Sequence, residues 1–285
     1  MRTHYDPIDI GMFHNLRMIH FCFEKHQATT GKFMNTERTP KTAASEMSDR
    51  SNPALYWPEL YAGTLLRRYK RFLADVRLDS GVEITAHCPN SGSMTGCSEP
   101  GRPVYLSYHD NPKRKLAYTW ELIDMPESLV GVNTLVPNRL VSAAIRAGEV
   151  HGLDHFQTLQ PEVKAGRNSR LDLLLSNTEA DRCYVEIKNC TLVTEGMARF
   201  PDAVTARGRQ HLLELQDLVK KGDRCVMFFL IQRMDAKQFA PADHIDPAYG
   251  RELRKAADNG VEMLAYDVAI DFEKISLNRQ LPVIL

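Results

Sequence analysis

The segment SRLDLLLSNTEADRCYVEIKN, residues 169–189, is the feature that most constrains the fold. Two runs of alternating apolar residues flank a polar turn, which predicts a β-hairpin. With the turn at the middle of the segment, Asp172 faces Glu186, and Lys188 lies on the same face two residues further on. Like charges directly opposite each other destabilise a sheet unless something compensates them. The hairpin therefore predicts a compensated charged site in an otherwise apolar sheet.

A divalent cation is the compensation that suits two carboxylates. Mg²⁺ or Mn²⁺ is the expected cofactor, because such ions often take one or two protein carboxylates and fill the remaining positions with water and phosphate. We expect Asp172 and Glu186 to be metal ligands and, with Lys188, catalytic residues. Arg170, opposite Lys188 in the same register, adds a phosphate contact. The alternative is two cross-strand ion pairs on a solvated face, which are individually weak.

From about residue 137 the pattern predicts an α/β domain that extends to residue 285. The segment PNRLVSAAIRAG has proline near its start, glycine at its end and apolar residues at helical spacing. Two further helices are predicted over AVTARGRQHLLELQDLVKKG and DPAYGRELRKAADNG. Strands are predicted near 157–163, 169–175 and 182–188, and over CVMFFLIQ and VEMLAYDV. This order of helices and strands indicates a mixed sheet.

Residues 54–136 show a different pattern of short strands and long loops. Strands are expected from Tyr61 onwards, at residues 104–108 and over YTWELI, with a turn at Asp79-Ser80-Gly81. Such a segment favours a small β-barrel. Residues 1–53 are polar and lack periodicity, which predicts a disordered extension. An upstream extension from a misplaced start is the alternative, with Met12, Met34 and Met47 as other possible starts.

Basic side chains cluster at three places in a chain whose 36 Lys and Arg residues balance its 36 Asp and Glu residues. Any attraction to a polyanion must therefore come from local patches. The segment RRYKRF mixes cations with aromatic rings, as phosphate pairing and base stacking require. Solvated surface is the alternative at each place. The candidate nucleic-acid-binding residues are Arg67, Arg68, Tyr69, Lys70, Arg71, Lys113, Arg114, Lys115, Arg170 and Arg207.

The cysteines and the hydropathy favour a cytoplasmic protein without a membrane span. The six cysteines form no C-x-x-C pair, which favours reduced thiols. His87, Cys88 and Cys97 lack a fourth zinc ligand. No apolar run approaches the roughly 20 residues of a membrane helix. The oligomeric state is left open.

The Asp, then Glu-x-Lys spacing between helices resembles the PD-(D/E)XK nuclease core. More specifically, the chain from about residue 59 resembles the sugar fermentation stimulation protein family in RRYKRFLADV, HCPNSGSMTGC, DNPKRK, VNTLVPNRLV, NSRLDLLL, CYVEIKN, FPDAVTARG and GVEMLAY. The resemblance implies a DNA-binding protein with an OB-like barrel followed by a PD-(D/E)XK nuclease-like domain. It also implies that Asp172 and Glu186 are the acidic pair and Lys188 the basic partner.

The sequence departs from that pattern at two places. Ala143 stands where family members often have an acidic residue, with Glu162 or Glu149 as substitutes, and Arg209-Gln210 stands where they tend to have Gln-Lys. Three functions follow as hypotheses: a nucleic-acid-binding protein that holds a metal, an active Mg²⁺- or Mn²⁺-dependent nuclease, and a regulator of sugar fermentation that uses DNA contact alone. DNA is the expected partner in preference to RNA.

Overall fold

A computed structural model describes residues 53–165 and 169–285, leaving aside the side chains of Ala165 and Ser169. Apart from Pro53, the predicted disordered extension lies outside the described residues. In the described part, no helix has the length and apolarity needed to span a membrane.

The first half of the described chain is built from β-strands. Five of these close into a barrel, because β2 pairs with β3 and β5, β3 pairs with β4, β5 pairs with β6, and β4 meets β6 at His87 and Thr119. Trp120, Leu65 and Leu106 fill its interior and are fully buried. The predicted OB-like barrel is confirmed. The strands are β1 (Ala54–Tyr56), β2 (Leu60–Tyr69), β3 (Leu73–Leu78), β4 (Glu83–His87), β5 (Pro103–Tyr108), β6 (Tyr118–Met125) and β7 (Ser128–Gly131).

The second half contains a seven-stranded mixed sheet in the order β1-β16-β15-β13-β10-β9-β8. β10, β13 and β15 are parallel to one another, and the other strands pair antiparallel. The predicted mixed sheet is confirmed. The elements are α1 (Val136–Arg146), β8 (Thr158–Ala165), β9 (Ser169–Ser176), β10 (Arg182–Cys190), β11 (Leu192–Thr194), β12 (Met197–Phe200), α2 (Ala206–Val219), β13 (Arg224–Ile231), β14 (Gln238–Pro241), α3 (Pro247–Asp258), β15 (Glu262–Ile270) and β16 (Lys274–Gln280).

Helices cover both faces of this sheet, so its central strands are apolar throughout. On β13, Val226, Phe228 and Leu230 pack with α1, whereas Met227 and Phe229 pack on the other face with α2 and α3. This two-sided burial explains why CVMFFLIQ lacks alternation. Any charged residue on a central strand must therefore find a partner inside the protein.

Local signals set the starts of α2 and α3. Thr205 caps α2 by accepting a hydrogen bond from the Gly208 N–H. Asp246 caps α3 by accepting from the Tyr249 N–H, and Pro247 occupies the first turn of that helix. Gly260 follows α3 with φ of +93°, a conformation that favours glycine.

The barrel and the large sheet share part of one core. Leu122 and Leu129, from the barrel half, pack in the same buried cluster as α1 and the large sheet. The first strand, β1, pairs with β16 at the edge of the large sheet, although it lies within residues 54–136. A small sheet of β11, β12 and β14 follows β10 in space. The predicted division at residue 137 stays a prediction.

The five cysteines in the described part are buried and form no disulfide. Burial raises the pKa of the Cys97 thiol to about 11 and of Cys183, Cys190 and Cys225 to about 12. Thiols with such high pKa values and no exposure react slowly. They are core residues here.

Candidate metal site and nucleic-acid interface

The predicted acid and base of the Glu-x-Lys motif lie on β10, on the face covered by α2. Val185 and Ile187 point the other way, into the core beneath α1. Glu186 is only 3% exposed, and Lys188 Nζ lies 2.6 Å from its Oε1. Alternation along the strand thus brings acid and base together on one face.

His211, near the start of α2, is the second side chain that contacts Glu186. Its Nδ1 contacts Glu186 Oε1 and lies 3.1 Å from Lys188 Nζ. Arg207, one turn earlier, donates from Nε to His211 Nε2 at 3.4 Å. When Nε2 accepts, the neutral ring carries its proton on Nδ1, which donates to Glu186.

The charge on Glu186 is retained despite its burial. Burial alone would raise the pKa of this carboxyl, but the hydrogen bond from His211 and the positive charge of Lys188 outweigh it and lower the pKa. Its second oxygen, Oε2, is buried without a hydrogen-bond partner among the described residues. A buried carboxylate oxygen without a partner is costly unless another group occupies its lone pairs.

Asp172 lies where β9 and β10 separate. The predicted register is present over four pairs, from Arg182 with Ser176 to Val185 with Leu173. One residue further on, Asp172 Oδ2 accepts from the Ile187 backbone N–H at 2.8 Å. The side chain therefore reaches across the gap between the strands and takes the place of a backbone acceptor.

Asn138, on α1, holds the other oxygen of Asp172. Its Nδ2 donates to Oδ1 at 2.8 Å. Burial, followed by the negative charge of Glu186, raises the pKa of Asp172 in spite of these two donors. The charge of Glu186 thus acts on the Asp172 carboxyl. Asn138 was not among the residues predicted from the sequence to form the site.

A change of face accompanies this separation of strands. Leu171 packs with the α2 side of the sheet and Leu173 with the α1 side, although two residues on a regular strand share a face. On β8, Glu162 has φ of +52° and lies between the pairs that flank Asp172. Asp172 therefore lies at an irregularity in β9, where the strand changes which face its side chains point to.

The carboxylates of the site offer few ligands to a divalent cation. The buried Glu186 carboxylate raises the pKa of the partly buried Asp172 through its negative charge, and Glu186 Oε2 is without a partner in the described part of the chain. Residues 53–165 and 169–285 hold no group of three His, Cys, Asp or Glu side chains that fits a metal. The residues fit an ion such as Mg²⁺, which takes few protein carboxylates, and not one that needs a full protein cage.

The remaining predicted residues near the hairpin are placed differently. Arg170 pairs in register with Lys164 and bonds Glu162 at 3.1 Å, so the structure does not bring it to Lys188. Glu162 lines a groove with Asp172 and Asn138, whereas Glu149, the other substitute acid, does not line it. Arg207 is exposed and lies beside His211, which contacts Glu186.

The basic run on the barrel divides between two faces. Arg67 bonds Asp75 at 2.7 Å and stacks over the Tyr69 ring, with 4.8 Å between the guanidinium carbon and the ring centroid. Lys70 and Arg71 form the β2–β3 turn with φ of 48° and 64°, and both are exposed. Of this run, the turn residues present free charge to solvent.

Arg68 binds backbone carbonyls of the barrel half and does not project freely into solvent. Its guanidinium donates to the backbone carbonyls of Asn90, Gly92, Ser93 and Arg71. It therefore holds the glycine-containing loop NSGSMTG in place, which leaves few donors for a phosphate.

The same loop touches the second half of the chain through Asp202. Asp202 Oδ2 accepts from the Met94 N–H at 2.8 Å, and its backbone oxygen accepts from Ser93 Oγ at 2.5 Å. A cavity of about 600 Å³ lies beside this contact, lined in part by Arg71 and Arg199. The Pro201-Asp202 pair thus joins the two halves and lies outside the Asp172–Glu186 site.

The third basic cluster lies on the β5–β6 loop, residues 109–117. Lys113 and Lys115 are exposed, while Arg114 donates to Thr119 Oγ1 at 2.8 Å. The β2–β3 turn and the β5–β6 loop correspond to the loops between strands 1 and 2 and between strands 4 and 5 of an OB barrel, which bind oligonucleotides in many OB folds. Both are basic in this protein.

Comparison with known proteins decides the family. Residues 66–132 match the family described as the SfsA N-terminal OB domain, and residues 135–274 match the sugar fermentation stimulation protein RE domain. The chain belongs to the sugar fermentation stimulation protein family. Sugar fermentation stimulation protein homologs from Geobacter sulfurreducens and Geotalea uraniireducens are 57% and 55% identical to it, each over 79% of this chain and 96% of the relative.

A solved structure shares the fold of this family member. It is that of Pyrococcus furiosus SfsA in complex with Ca²⁺, with a TM-score of 0.74 and 24% identity, over 81% of this chain and 98% of that one. The likeness confirms the barrel and the mixed sheet. The OB domain suggests nucleic-acid binding.

Proposed function

We propose that this protein binds nucleic acid, DNA in preference to RNA, and holds a divalent cation between Asp172 and Glu186. The observation that carries the proposal is the buried Glu186, whose Oε2 has no partner among the described residues and whose charge acts on the partly buried Asp172. The Ca²⁺ in the Pyrococcus furiosus relative supports a cation in this family. The basic β2–β3 turn and β5–β6 loop support a polyanionic partner.

The binding role divides between the two halves of the chain. Exposed Lys70, Arg71, Lys113 and Lys115 contact phosphates from the barrel, and Arg207 does so beside the acidic pair. Overall charge contributes nothing, since the chain is neutral. Affinity in this proposal falls steeply with salt, because each phosphate contact releases a counterion.

An active nuclease is the second candidate, and the position of Lys188 favours it. A bound cation would polarise a phosphate oxygen and lower the pKa of a water molecule. Asp172 and Glu186 would hold that ion, and Asn138 keeps the Asp172 carboxylate in position. Lys188, 2.6 Å from Glu186, orients a water or stabilises charge that develops on the phosphate.

One experiment separates binding from cleavage. The purified protein is incubated with labelled single- and double-stranded DNA and RNA, in Mg²⁺, Mn²⁺ or EDTA, alongside Asp172→Asn and Lys188→Ala. Cleavage that needs the metal and disappears in both variants supports the nuclease. Salt-sensitive binding without cleavage supports a regulator that acts by contact alone.

Calorimetric titration tests the cation directly. We expect the wild-type protein to take up Mg²⁺ or Ca²⁺ and Asp172→Asn to bind more than about tenfold more weakly, since loss of even outer groups around a metal costs that much. Asp217→Asn, an exposed acid on α2, is the matched control and should bind as the wild type does. Equal uptake by all three proteins would refute the site, and the absence of nucleic-acid binding in low salt would refute the partner.

A further inference from the structure

Three tyrosines from three barrel strands form a cluster at the base of the β5–β6 loop. Tyr61 lies on β2, Tyr108 ends β5 and Tyr118 begins β6. Their ring centroids are 5.2 to 6.1 Å apart in tilted or edge-to-face arrangements. We call these residues the tyrosine cluster. None of them belongs to the acidic site or to the basic runs.

The tyrosine cluster is more exposed than a barrel core requires. Tyr118 packs against the core, whereas Tyr108 is 44% exposed. The Tyr61 hydroxyl donates to Glu59 at 3.3 Å, and no hydrogen bond is found for the Tyr108 hydroxyl within the described residues. Tyr108 therefore presents part of an aromatic ring to solvent.

The cluster lies directly beside a cationic loop. Tyr108 and Tyr118 are partners in the β5–β6 register, so they flank the loop that carries Lys113 and Lys115. Arg114, bound to Thr119, holds the base of that loop. Exposed rings next to lysines match the needs of single-stranded nucleic acid, whose bases stack on aromatic faces while its phosphates meet the cations.

Two acidic groups weigh against a site that relies on charge alone. Glu59 contacts Tyr61, and Asp110 lies in the loop itself. Duplex DNA offers only phosphates and grooves to such a surface, because its bases are stacked inside. The rings add something only for a strand with unpaired bases.

We propose that the tyrosine cluster stacks unpaired bases of a single-stranded nucleic acid whose backbone follows the β5–β6 loop. This inference rests on the proposed nucleic-acid-binding function and adds the strand state that the barrel selects. Tyr108 is the principal stacking ring. Tyr118 supports it from below, and Tyr61 supports it from the neighbouring strand.

Fluorescence anisotropy with three labelled probes of equal length tests the inference. The probes are a mixed-sequence single strand, the corresponding duplex, and a single strand that lacks its bases. We expect Tyr108→Leu to bind the single strand roughly 5- to 160-fold more weakly than the wild type, the range that loss of one stacking ring covers. Its affinity for the duplex and for the base-free strand should stay within twofold.

Matched variants separate stacking from barrel stability. Tyr108→Phe keeps the ring and should bind the single strand as the wild type does. Phe272→Leu, which removes another exposed ring in the β15–β16 turn, should have no effect. Circular dichroism melting of each variant checks the fold.

The outcomes distinguish this inference from the proposed function. Equal single-strand affinity in Tyr108→Leu and the wild type would overturn stacking and leave nucleic-acid binding intact. An equal loss for the single strand and the duplex would also overturn it. If the wild type binds no probe in low salt, both the inference and the proposed function fail.

Discussion

A single carboxylate, Glu186, gathers the charged residues of the acidic site around it. Lys188 and His211 both reach its Oε1, and their favourable interactions outweigh a burial that would otherwise raise its pKa. Removing one partner of a buried ion pair leaves an uncompensated charge, which is the costly state. Lys188 therefore stabilises the folded protein, whether or not it also takes part in chemistry at the site.

Replacing Lys188 by methionine should lower the free energy of unfolding by about 1–3 kcal/mol at neutral pH, because the buried Glu186 carboxylate loses its lysine partner and keeps the hydrogen bond with His211. The lowered pKa of Glu186 gives stability that is present above the pKa of an unfolded glutamate and is lost as the pH falls through the folded value. Without Lys188 the folded pKa rises, so this loss begins at a higher pH. Urea unfolding between about pH 4 and pH 8 measures it.

Two further variants serve as controls for that change. Lys188→Arg keeps the positive charge and should recover part of the stability. Lys255→Met removes a lysine on α3 whose side chain is 63% exposed, and it should leave the free energy of unfolding nearly unchanged. A Lys188→Met protein as stable as the wild type, with the same pH dependence, would show that Glu186 does not depend on this lysine.

At the scale of elements, Asp246 ties the starts of two helices together. Its carboxylate accepts from the Tyr249 N–H at the start of α3 and from the N–H of Thr205, which caps α2. Burial would raise the pKa of Asp246, but the backbone donors at Thr205 and Tyr249 outweigh it and lower the pKa. Since α2 carries His211, this side chain also positions one wall of the acidic site.

Asp246→Ala should lower the free energy of unfolding by about 2–4 kcal/mol, because one helix loses its cap and a second backbone N–H loses its acceptor. Asp246→Asn keeps an acceptor and should lose less. With its folded pKa lowered, Asp246 stabilises the protein above the pKa of an unfolded aspartate, and that contribution is lost as the pH falls through the folded value. Denaturant unfolding at several pH values measures both effects.

The control for Asp246 lies at the opposite end of the same helix. Asp258 is exposed at the end of α3, where a negative charge opposes the helix dipole, so Asp258→Ala should not destabilise the protein. A similar loss in both variants would mean that removing any α3 acid is harmful. The cap at Asp246 would then have no special role.

The long elements were predictable from sequence, and the short ones were not. α1, α2 and α3 follow their apolar spacing and their proline and glycine signals, and the β9–β10 register follows the symmetry of its turn. β11, β12 and β14 have three or four residues each, too few for a period to be seen. Their pairing depends on contacts between distant parts of the chain.

Some contacts of the candidate site follow from the sequence pattern, and others depend on how the helices pack. Glu186 and Lys188 lie on one face of β10 because side chains alternate along a strand. Asn138 reaches Asp172 only because α1 packs on one face of the sheet, and His211 reaches Glu186 because α2 packs on the other. No local pattern encodes either packing, so neither the Asn138 contact nor the His211 contact could be predicted from the sequence.

At the scale of the whole molecule, charge is balanced overall and uneven locally. The 36 basic and 36 acidic residues give a net charge of zero, so long-range attraction to a polyanion is absent. Most of the arginines on the barrel are engaged, as Arg67 is with Asp75 and Arg68 with loop carbonyls. Lys113 and Lys115 of the β5–β6 loop form no ion pair in the described structure, which leaves their charges available to a polyanion.

Replacing both Lys113 and Lys115 by alanine should therefore reduce the slope of log affinity against log salt by about 1.4–1.8, since each lost phosphate contact accounts for about 0.7–0.9. The loss in affinity should be similar for all base sequences, because phosphates carry no sequence information. Anisotropy titrations with a single strand and a duplex at four salt concentrations measure the slope.

The double variant Lys220→Ala with Lys221→Ala removes the same charge after α2, far along the chain from the barrel. If both double variants reduce the slope equally, the attraction comes from total charge, and the β5–β6 loop is not the place where the barrel meets the phosphate backbone.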